Sequence, residues 1–291
     1  CVSIESVRDS SQGTKRVVPA GPSSAKRSPM PGSRSTMLIL ALDTTTVPGS
    51  VALARDACVL DESVGDPTIT HGQRLPGEIV SLLERNALTV GLIDQYVVAA
   101  GPGSFTGLRV GIATVQALAL ANRRQVLGVS VLDALTEVAS RATSGGSCEP
   151  EVIVPWMDAK RGEVFGALYE PIAVDETGDK GGGRELRWRV TEGPVAQTPA
   201  TLLNAWSPTL RNRSVLVIGD GVDRDRRLLE AAFGPNSRLM SDVPPLAGIM
   251  AGMASQTPWR DEAVPPHAVR PVYVRRPDAE LARARRGGLS T

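Results

Sequence analysis

The apolar positions of the chain follow a regular order of strands and helices from residue 37 onward. Residues 38–43 form an almost continuous apolar run, which is typical of a buried strand. Leucine and isoleucine recur at the spacing of one helical face over residues 71–86, which predicts an amphipathic helix. The pattern predicts strands 38–43, 50–54, 57–63, 95–100, 126–130, 151–157, 162–169, 185–190 and 214–218, and helices 71–86, 104–121, 132–141, 199–206, 223–233 and about 246–256.

The predicted elements repeat one order, βββαβα, on either side of a Gly/Ser stretch at 143–147. A three-stranded meander followed by alternating strands and helices predicts an α/β fold with mixed sheets in two lobes. We expect a first lobe over 37–142, a second lobe over 148–243, a C-terminal helix packing back on the first lobe, an irregular basic tail over 257–291, and a disordered or non-native extension over 1–36.

A glycine-rich loop joins the strand at 95–100 to the following helix, with the sequence Gly101-Pro-Gly-Ser-Phe-Thr-Gly-Leu-Arg-Val-Gly111. A helix N-terminus after such a loop suits an anion. The loop lacks the lysine of the usual phosphate loop, and its glycines do not have dinucleotide-fold spacing. A tight turn before a closely packed helix explains this glycine-rich sequence equally well. Ser104 stands where a helix N-cap is expected, and we prefer that role to a catalytic nucleophile.

Composition and charge exclude several classes of protein. The net charge is +1, with a basic excess at 1–36 and 274–291 around a mildly acidic body, so a broad nucleic-acid surface is not expected. Cys1, Cys58 and Cys148 form no disulfide pattern, which predicts a reducing, cytoplasmic setting, with Cys58 in the core. No apolar run reaches the roughly 18 residues of a membrane span.

A metal-dependent reaction is disfavoured because the chain has only two histidines, His71 and His267, far apart in sequence. Two histidines one helical turn apart would be needed to hold a zinc-like ion locally, and we expect no metal site. A charged group at the hairpin near 160 is either a solvated turn or part of a cleft wall, and it comprises Asp158, Lys160, Arg161 and Glu163.

Several motifs together resemble the bacterial TsaB (YeaZ) family. They are Leu40-Ala-Leu-Asp-Thr-Thr45 with Ser50-Val-Ala-Leu53, the Gly101–Gly111 loop, Gly128-Val-Ser-Val-Leu132, Met157-Asp-Ala-Lys-Arg-Gly-Glu-Val-Phe165, and Pro271-Val-Tyr-Val-Arg275. The resemblance implies an actin/hexokinase/Hsp70-like fold. It also implies an accessory, non-catalytic role in making threonylcarbamoyladenosine at position 37 of ANN-decoding tRNAs. The partners it implies are the homologous catalytic subunit TsaD, a TsaE-type ATPase and, through the complex, tRNA.

The same resemblance leaves two enzymatic alternatives. One is a glycoprotease-like metallopeptidase, which the missing metal ligands disfavour. As an accessory subunit, the chain is expected to hold no cofactor of its own, with ATP or ADP at the level of the complex. The other alternative is an ATP-binding or ATP-hydrolysing phosphotransferase that uses Asp43 and the Gly101 loop. Its candidate nucleotide-binding residues are Asp43, Thr44, Thr45, Gly101, Gly103, Ser104, Gly219 and Gly221.

A surface of two helices is the expected contact with TsaD, or with a second copy when TsaD is absent. Small residues one helical turn apart allow another helix to approach closely. We therefore expect Gly111→Leu to block the heterodimer without unfolding the lobe. The basic tails offer a separate route to direct tRNA contact. The contact candidates are Leu75, Ile79, Leu82, Leu83, Gly107, Leu108, Gly111 and Thr114.

Overall fold

A computed structural model describes residues 36–144, 149–173 and 186–275. It confirms the predicted α/β class, with two five-stranded mixed sheets flanked by helices. The strands are β1 (Leu38–Asp43), β2 (Ser50–Arg55), β3 (Cys58–Val64), β4 (Gln95–Gly101), β5 (Gln125–Ser130), β6 (Val152–Lys160), β7 (Glu163–Ala173), β8 (Leu186–Gln197), β9 (Val215–Ile218) and β10 (Ser237–Met240). The helices are α1 (His71–Arg85), α2 (Phe105–Asn122), α3 (Val131–Thr143), α4 (Pro199–Leu210), α5 (Val222–Phe233) and α6 (Leu246–Ala254).

The two sheets have the same topology. The first runs β3-β2-β1-β4-β5 and the second, read from its long edge, β8-β7-β6-β9-β10. In each sheet the meander is antiparallel and the two later strands are parallel to the first strand. The repeat is therefore more complete than the sequence pattern predicted, because β10 was missed. This strand has four residues, none of them fully buried, so it lacks the apolar run that marks a core strand.

Each face of the first sheet carries a different pair of helices. Helices α1 and α2 cover one face, where their apolar side chains join a cluster that includes Leu40, Leu53 and Val98. Helices α3 and α6 cover the other face, in a cluster that also contains Ile153 and Leu216 of the second sheet. One continuous core thus joins both sheets through α3 and α6.

The N-terminus of α6 is fixed to the first sheet by side chains remote in sequence. Ala247 N donates to Ser50 Oγ at 3.0 Å, and Gly248 N donates to Glu62 Oε1 at 2.9 Å. These bonds satisfy two of the amide groups that a helix leaves unpaired at its start, and Pro245 at the N-cap cannot do so with its own side chain. The C-terminal helix therefore packs back on the first lobe.

Two local predictions differ from the structure. Cys58 is exposed rather than in the core, because it is the first residue of an edge strand. Strand β8 runs on to Gln197, past the predicted end at residue 190. Helix α1 begins at His71 as predicted, despite Pro76 inside it, with Gln73 Oε1 accepting a hydrogen bond from Thr70 N at 3.3 Å. Sequence also predicts a loop rich in glycine and charge at 175–184, which lies with the segments 1–35 and 276–291 outside the described residues.

The helix side chains expected to contact a partner lie inside this chain. On α1 they pack against the first sheet, and on α2 Leu108 is also buried. Gly107 and Gly111 face the turn between β1 and β2, where a Cβ at either position would overlap Thr44. Thr44 Oγ1 donates to the Gly107 carbonyl at 2.8 Å. Gly107 and Gly111 therefore leave space for Thr44 of this chain rather than for a partner helix. The buried α1 side chains are Leu75, Ile79, Leu82 and Leu83.

We predict that Gly111→Leu destabilises the fold, contrary to the expectation from sequence. A leucine there must displace Thr44, and overpacking of this kind costs about 1–3 kcal/mol. Thermal or urea unfolding of the purified variant measures the loss. Ala113→Leu, on the exposed face of the same helix, is the matched control and should leave the midpoint nearly unchanged. Equal midpoints for Gly111→Leu and wild type would contradict this packing.

Candidate functional site

A cleft of about 1700 Å³ lies between the two sheets. Its walls come from the β1–β2 turn, the start of α2, the β6–β7 hairpin and the chain segment 272–275. Thr44, Gly101, Gly219 and Gly221 are outside its lining, and the turn after β9 contributes Asp220 instead. Of the residues predicted to bind nucleotide, the cleft brings together Asp43, Thr45, Gly103 and Ser104.

Asp43 ends β1 as a buried carboxylate at the back of the cleft. Its Oδ1 accepts hydrogen bonds from Thr45 N at 2.8 Å and Thr45 Oγ1 at 2.6 Å. Burial raises the pKa of Asp43 above its ordinary value, and the bonds from Thr45 partly oppose that rise. The Asp43 carboxylate and the Thr45 donors therefore satisfy each other's hydrogen bonds and hold the turn closed.

The glycine-rich loop packs directly on this turn. Ser104 N donates to the Thr45 carbonyl at 2.9 Å, and Ser104 Oγ caps α2 by accepting from Gly107 N at 3.2 Å. Gly103 has a φ of +158°, and a Cβ there would lie 2.5 Å from Thr45 Cβ. The N-cap role predicted for Ser104 is confirmed.

The glycines after β9 are also engaged within the fold. Gly219 N donates to the Met240 carbonyl at 3.1 Å, and Gly221 N donates to the Trp156 carbonyl at 3.1 Å. A Cβ on Gly219 would overlap that same Trp156 backbone. These glycines allow β9 and α5 to approach β6 closely.

A bound nucleotide phosphate requires backbone amides, hydroxyls or a lysine that are free to donate to it. Thr44 Oγ1, Thr45 N, Thr45 Oγ1 and Ser104 N all donate to acceptors of this chain. The two loops that would flank a phosphate contact each other instead. Four of the donors predicted to meet a phosphate at this turn are therefore engaged within the chain.

The opposite wall carries a charged network on the β6–β7 hairpin. Asp158 accepts from Lys160 Nζ at 2.8 Å and from Arg224 Nη1 at 2.5 Å. Partial burial acts to raise the pKa of Asp158, but the bonds from Lys160 and the nearby Arg224 hold it below the ordinary value. The hairpin tip is unusual because Lys160 and Arg161 have φ values of +62° and +58°. Residues other than glycine seldom adopt this conformation, and they do so at functional positions more often than elsewhere.

His71 fixes the β1–β2 turn from the α1 side. Its Nε2 lies 3.0 Å from the Thr46 carbonyl, and its Nδ1 lies 2.7 Å from Arg74 Nη2. This pattern assigns the neutral tautomer, in which Nε2 donates and Nδ1 accepts. Burial and the positive charge of Arg74 lower the pKa of His71. Arg74 also bonds the Pro48 carbonyl and Glu78, so His71 has a structural role at this turn.

A contact between residues far apart in sequence forms the rim of the cleft. The ring centroids of Phe105 and Tyr273 are 5.1 Å apart, and Arg109 lies 3.9 Å above the Phe105 ring. In the sequence, Phe105 and Tyr273 belong to two separate family motifs, and nothing in those motifs connects them. The scarcity of aromatic residues, 3% of the chain, was the available signal.

Within 36–144, 149–173 and 186–275, no three His, Cys, Asp or Glu side chains are grouped so as to hold a metal ion. His71 and His267 are separate, and His267 is exposed. No helix in this part of the chain has the length and apolar character needed to span a membrane.

Several of the known proteins that this chain resembles are named for the same tRNA modification. Residues 68–230 match the family model described as TsaD, tRNA N6-adenosine threonylcarbamoyltransferase. The tRNA threonylcarbamoyladenosine biosynthesis protein TsaB of Escherichia coli is 32% identical over 64% of this chain and 80% of its own length. The TsaB protein of Bacillus subtilis is 27% identical over 84% of this chain and 96% of its own length.

A solved structure supports the same assignment. The structure described as YeaZ from Pseudomonas aeruginosa superposes with a TM-score of 0.57 at 26% sequence identity, covering 81% of this chain and 99% of that one. The motifs, the paired sheets and these relatives agree, and the chain belongs to the TsaB (YeaZ) family of tRNA threonylcarbamoyladenosine biosynthesis proteins.

Proposed function

We propose that this chain is an accessory subunit of threonylcarbamoyl transfer to N6 of adenosine 37 in ANN-decoding tRNAs, acting in the cytoplasm through a heterodimer with a TsaD-type catalytic subunit. The observation that carries the proposal is the engagement of Thr44, Thr45 and Ser104 in internal hydrogen bonds. Because these donors already bond to acceptors of the same chain, we expect the chain to contribute a contact surface rather than a reactive group. A TsaE-type ATPase completes the proposed assembly.

The proposed contact surface is the outer face of α1 and α2. The two helices contact each other on the same face of the first sheet, and their buried sides hold them rigidly there. Val80 is 51% exposed and Leu120 is 72% exposed, although both are apolar. The other exposed positions of this face are small or flat residues, which allow a facing helix to approach closely. The outer face consists of Gly72, Pro76, Gly77, Val80, Ala113, Ala117 and Leu120.

This surface replaces the set of contacts expected from sequence. Leu75, Ile79 and the other buried members of that set support the outer face from beneath. Thr114 is half-buried, with its hydroxyl donating to the Val110 carbonyl at 2.8 Å. The proposed contact uses the two helices expected from sequence, α1 and α2. It uses their solvent-exposed sides instead of their buried sides.

We predict that Leu120→Lys weakens binding to the TsaD-type subunit at least about 30-fold, the cost of removing an interface hot spot. The lysine leaves the core untouched and suits the last turn of a helix. Leu228→Lys, at a 49% exposed leucine on α5, is the matched control and should bind as wild type. Calorimetry with the TsaD-type protein of the same organism measures both affinities.

The same pair of variants tests the function. In a reconstituted reaction, modification of tRNA should require this chain and should fall with Leu120→Lys but not with Leu228→Lys. Modification at full rate without this chain would contradict the proposal, as would equal binding by both variants.

The competing function is an actin-like ATP-binding phosphotransferase, and nucleotide addition separates the two. We predict that millimolar ATP or ADP with Mg²⁺ leaves the melting temperature of the isolated chain unchanged within about 1 °C. Specific binding at 100 times the Kd would add about 2.7 kcal/mol to the free energy of unfolding. A clear rise that Asp43→Ala abolishes would support the phosphotransferase instead.

A further inference from the structure

The exposed aromatic residues of this chain are concentrated at one place. The chain contains three Phe and three Tyr. Four of these side chains are between 0% and 8% exposed, whereas Phe105 is 37% exposed and Tyr273 is 38% exposed. These two stack on each other, with Arg109 over the Phe105 ring and its Nε donating to Tyr273 Oη at 3.1 Å. We call Phe105, Arg109 and Tyr273 the aromatic rim.

The aromatic rim is held in place by both halves of the molecule. Val272 N donates to the Ala100 carbonyl of the first sheet at 2.7 Å. Arg275 Nη1 donates to the Ala159 carbonyl and to Glu163 Oε2 in the second sheet, each at 3.0 Å. Tyr273 therefore lies on a short segment bonded at both ends. Because this segment is already fixed, it would lose little additional conformational entropy when a ligand stacks on the Tyr273 ring.

Cationic side chains line the cleft beside the aromatic rim. Arg109, Lys160, Arg161 and Arg275 all contribute to its walls, and the Lys160 side chain is 69% exposed. Four carboxylates also line the cleft: Asp43, Asp158, Asp220 and the exposed Asp242. Asp158 is neutralised by Lys160 and Arg224, and Asp220 Oδ1 accepts from Asp158 N at 2.9 Å. Lys160 and Arg275 are paired with Asp158 and Glu163, and the Lys160 side chain remains largely exposed at the hairpin tip.

We propose that the aromatic rim binds unpaired bases of the RNA substrate, with the hairpin tip of Lys160 and Arg161 contacting the adjoining phosphates. Aromatic rings interleaved with arginine form the usual platform for single-stranded bases, since every base offers a flat face for stacking. A protein partner already has a proposed place, on the outer face of α1 and α2. The inference rests on the proposed function and names the RNA contact that this chain would add.

The test uses the full chain mixed with the TsaD-type protein and an anticodon stem–loop RNA of an ANN-decoding tRNA. Tyr273→Ala should weaken RNA binding about tenfold, whereas Tyr273→Phe, which keeps the ring, should bind within twofold of wild type. Arg109→Gln should weaken binding and reduce the dependence of log affinity on log salt by about one unit. Arg226→Gln, an arginine paired with Asp223 away from the cleft, is the matched charge control.

Two further readouts separate this proposal from the proposed function. Size-exclusion chromatography reports heterodimer formation, and ultraviolet crosslinking followed by peptide mapping reports the RNA contact. A crosslink at Tyr273 or Phe105 supports the proposal, even if the heterodimer fails to form. It is overturned if the wild-type mixture does not bind the stem–loop, if Tyr273→Ala binds equally well, or if Tyr273→Ala loses the TsaD-type subunit, which would make the rim a protein contact.

Discussion

The contact between α2 and the β1–β2 turn determines most of what this molecule can do. Thr44 Oγ1 bonds the Gly107 carbonyl, Ser104 N bonds the Thr45 carbonyl, and Gly107 and Gly111 let the helix come close enough for both. This packing engages four of the donors that a phosphate at the turn could use. It also fixes α2 with its opposite face in solvent, where a partner can reach it. A closed turn and an available helical surface are two consequences of one packing arrangement.

Two exposed surfaces of the molecule differ in their chemistry. The outer face of α1 and α2 is apolar and smooth, as a protein contact requires. The cleft rim combines exposed rings with arginine and lysine, as an RNA contact requires. Both surfaces use α2, since Phe105 and Arg109 lie near its start and Leu120 lies near its end. A single rigid helix would therefore set the position of RNA relative to the catalytic partner.

Local pattern predicted much of this fold, and its failures have physical causes. The apolar runs of β1 and β4 and the cap at Ser104 are visible in sequence because they depend on neighbouring residues. The direction faced by Gly111 is not, since small side chains fit a partner helix and the chain's own turn equally well. Tyr273 meets Phe105 across 168 residues, a pairing that only the folded chain brings about. Strand β10 has too few buried residues for any periodicity.

Hydrogen exchange on the isolated chain and on its mixture with the TsaD-type subunit tests the central claim most directly. The account predicts new protection of amides along the exposed stretches of α1 and α2, with the β1–β2 turn equally protected before and after mixing. It also predicts no change when ATP and Mg²⁺ are added to the chain alone. Protection of residues 43–50 by nucleotide alone, with α1 and α2 unaffected by the partner, would contradict the account.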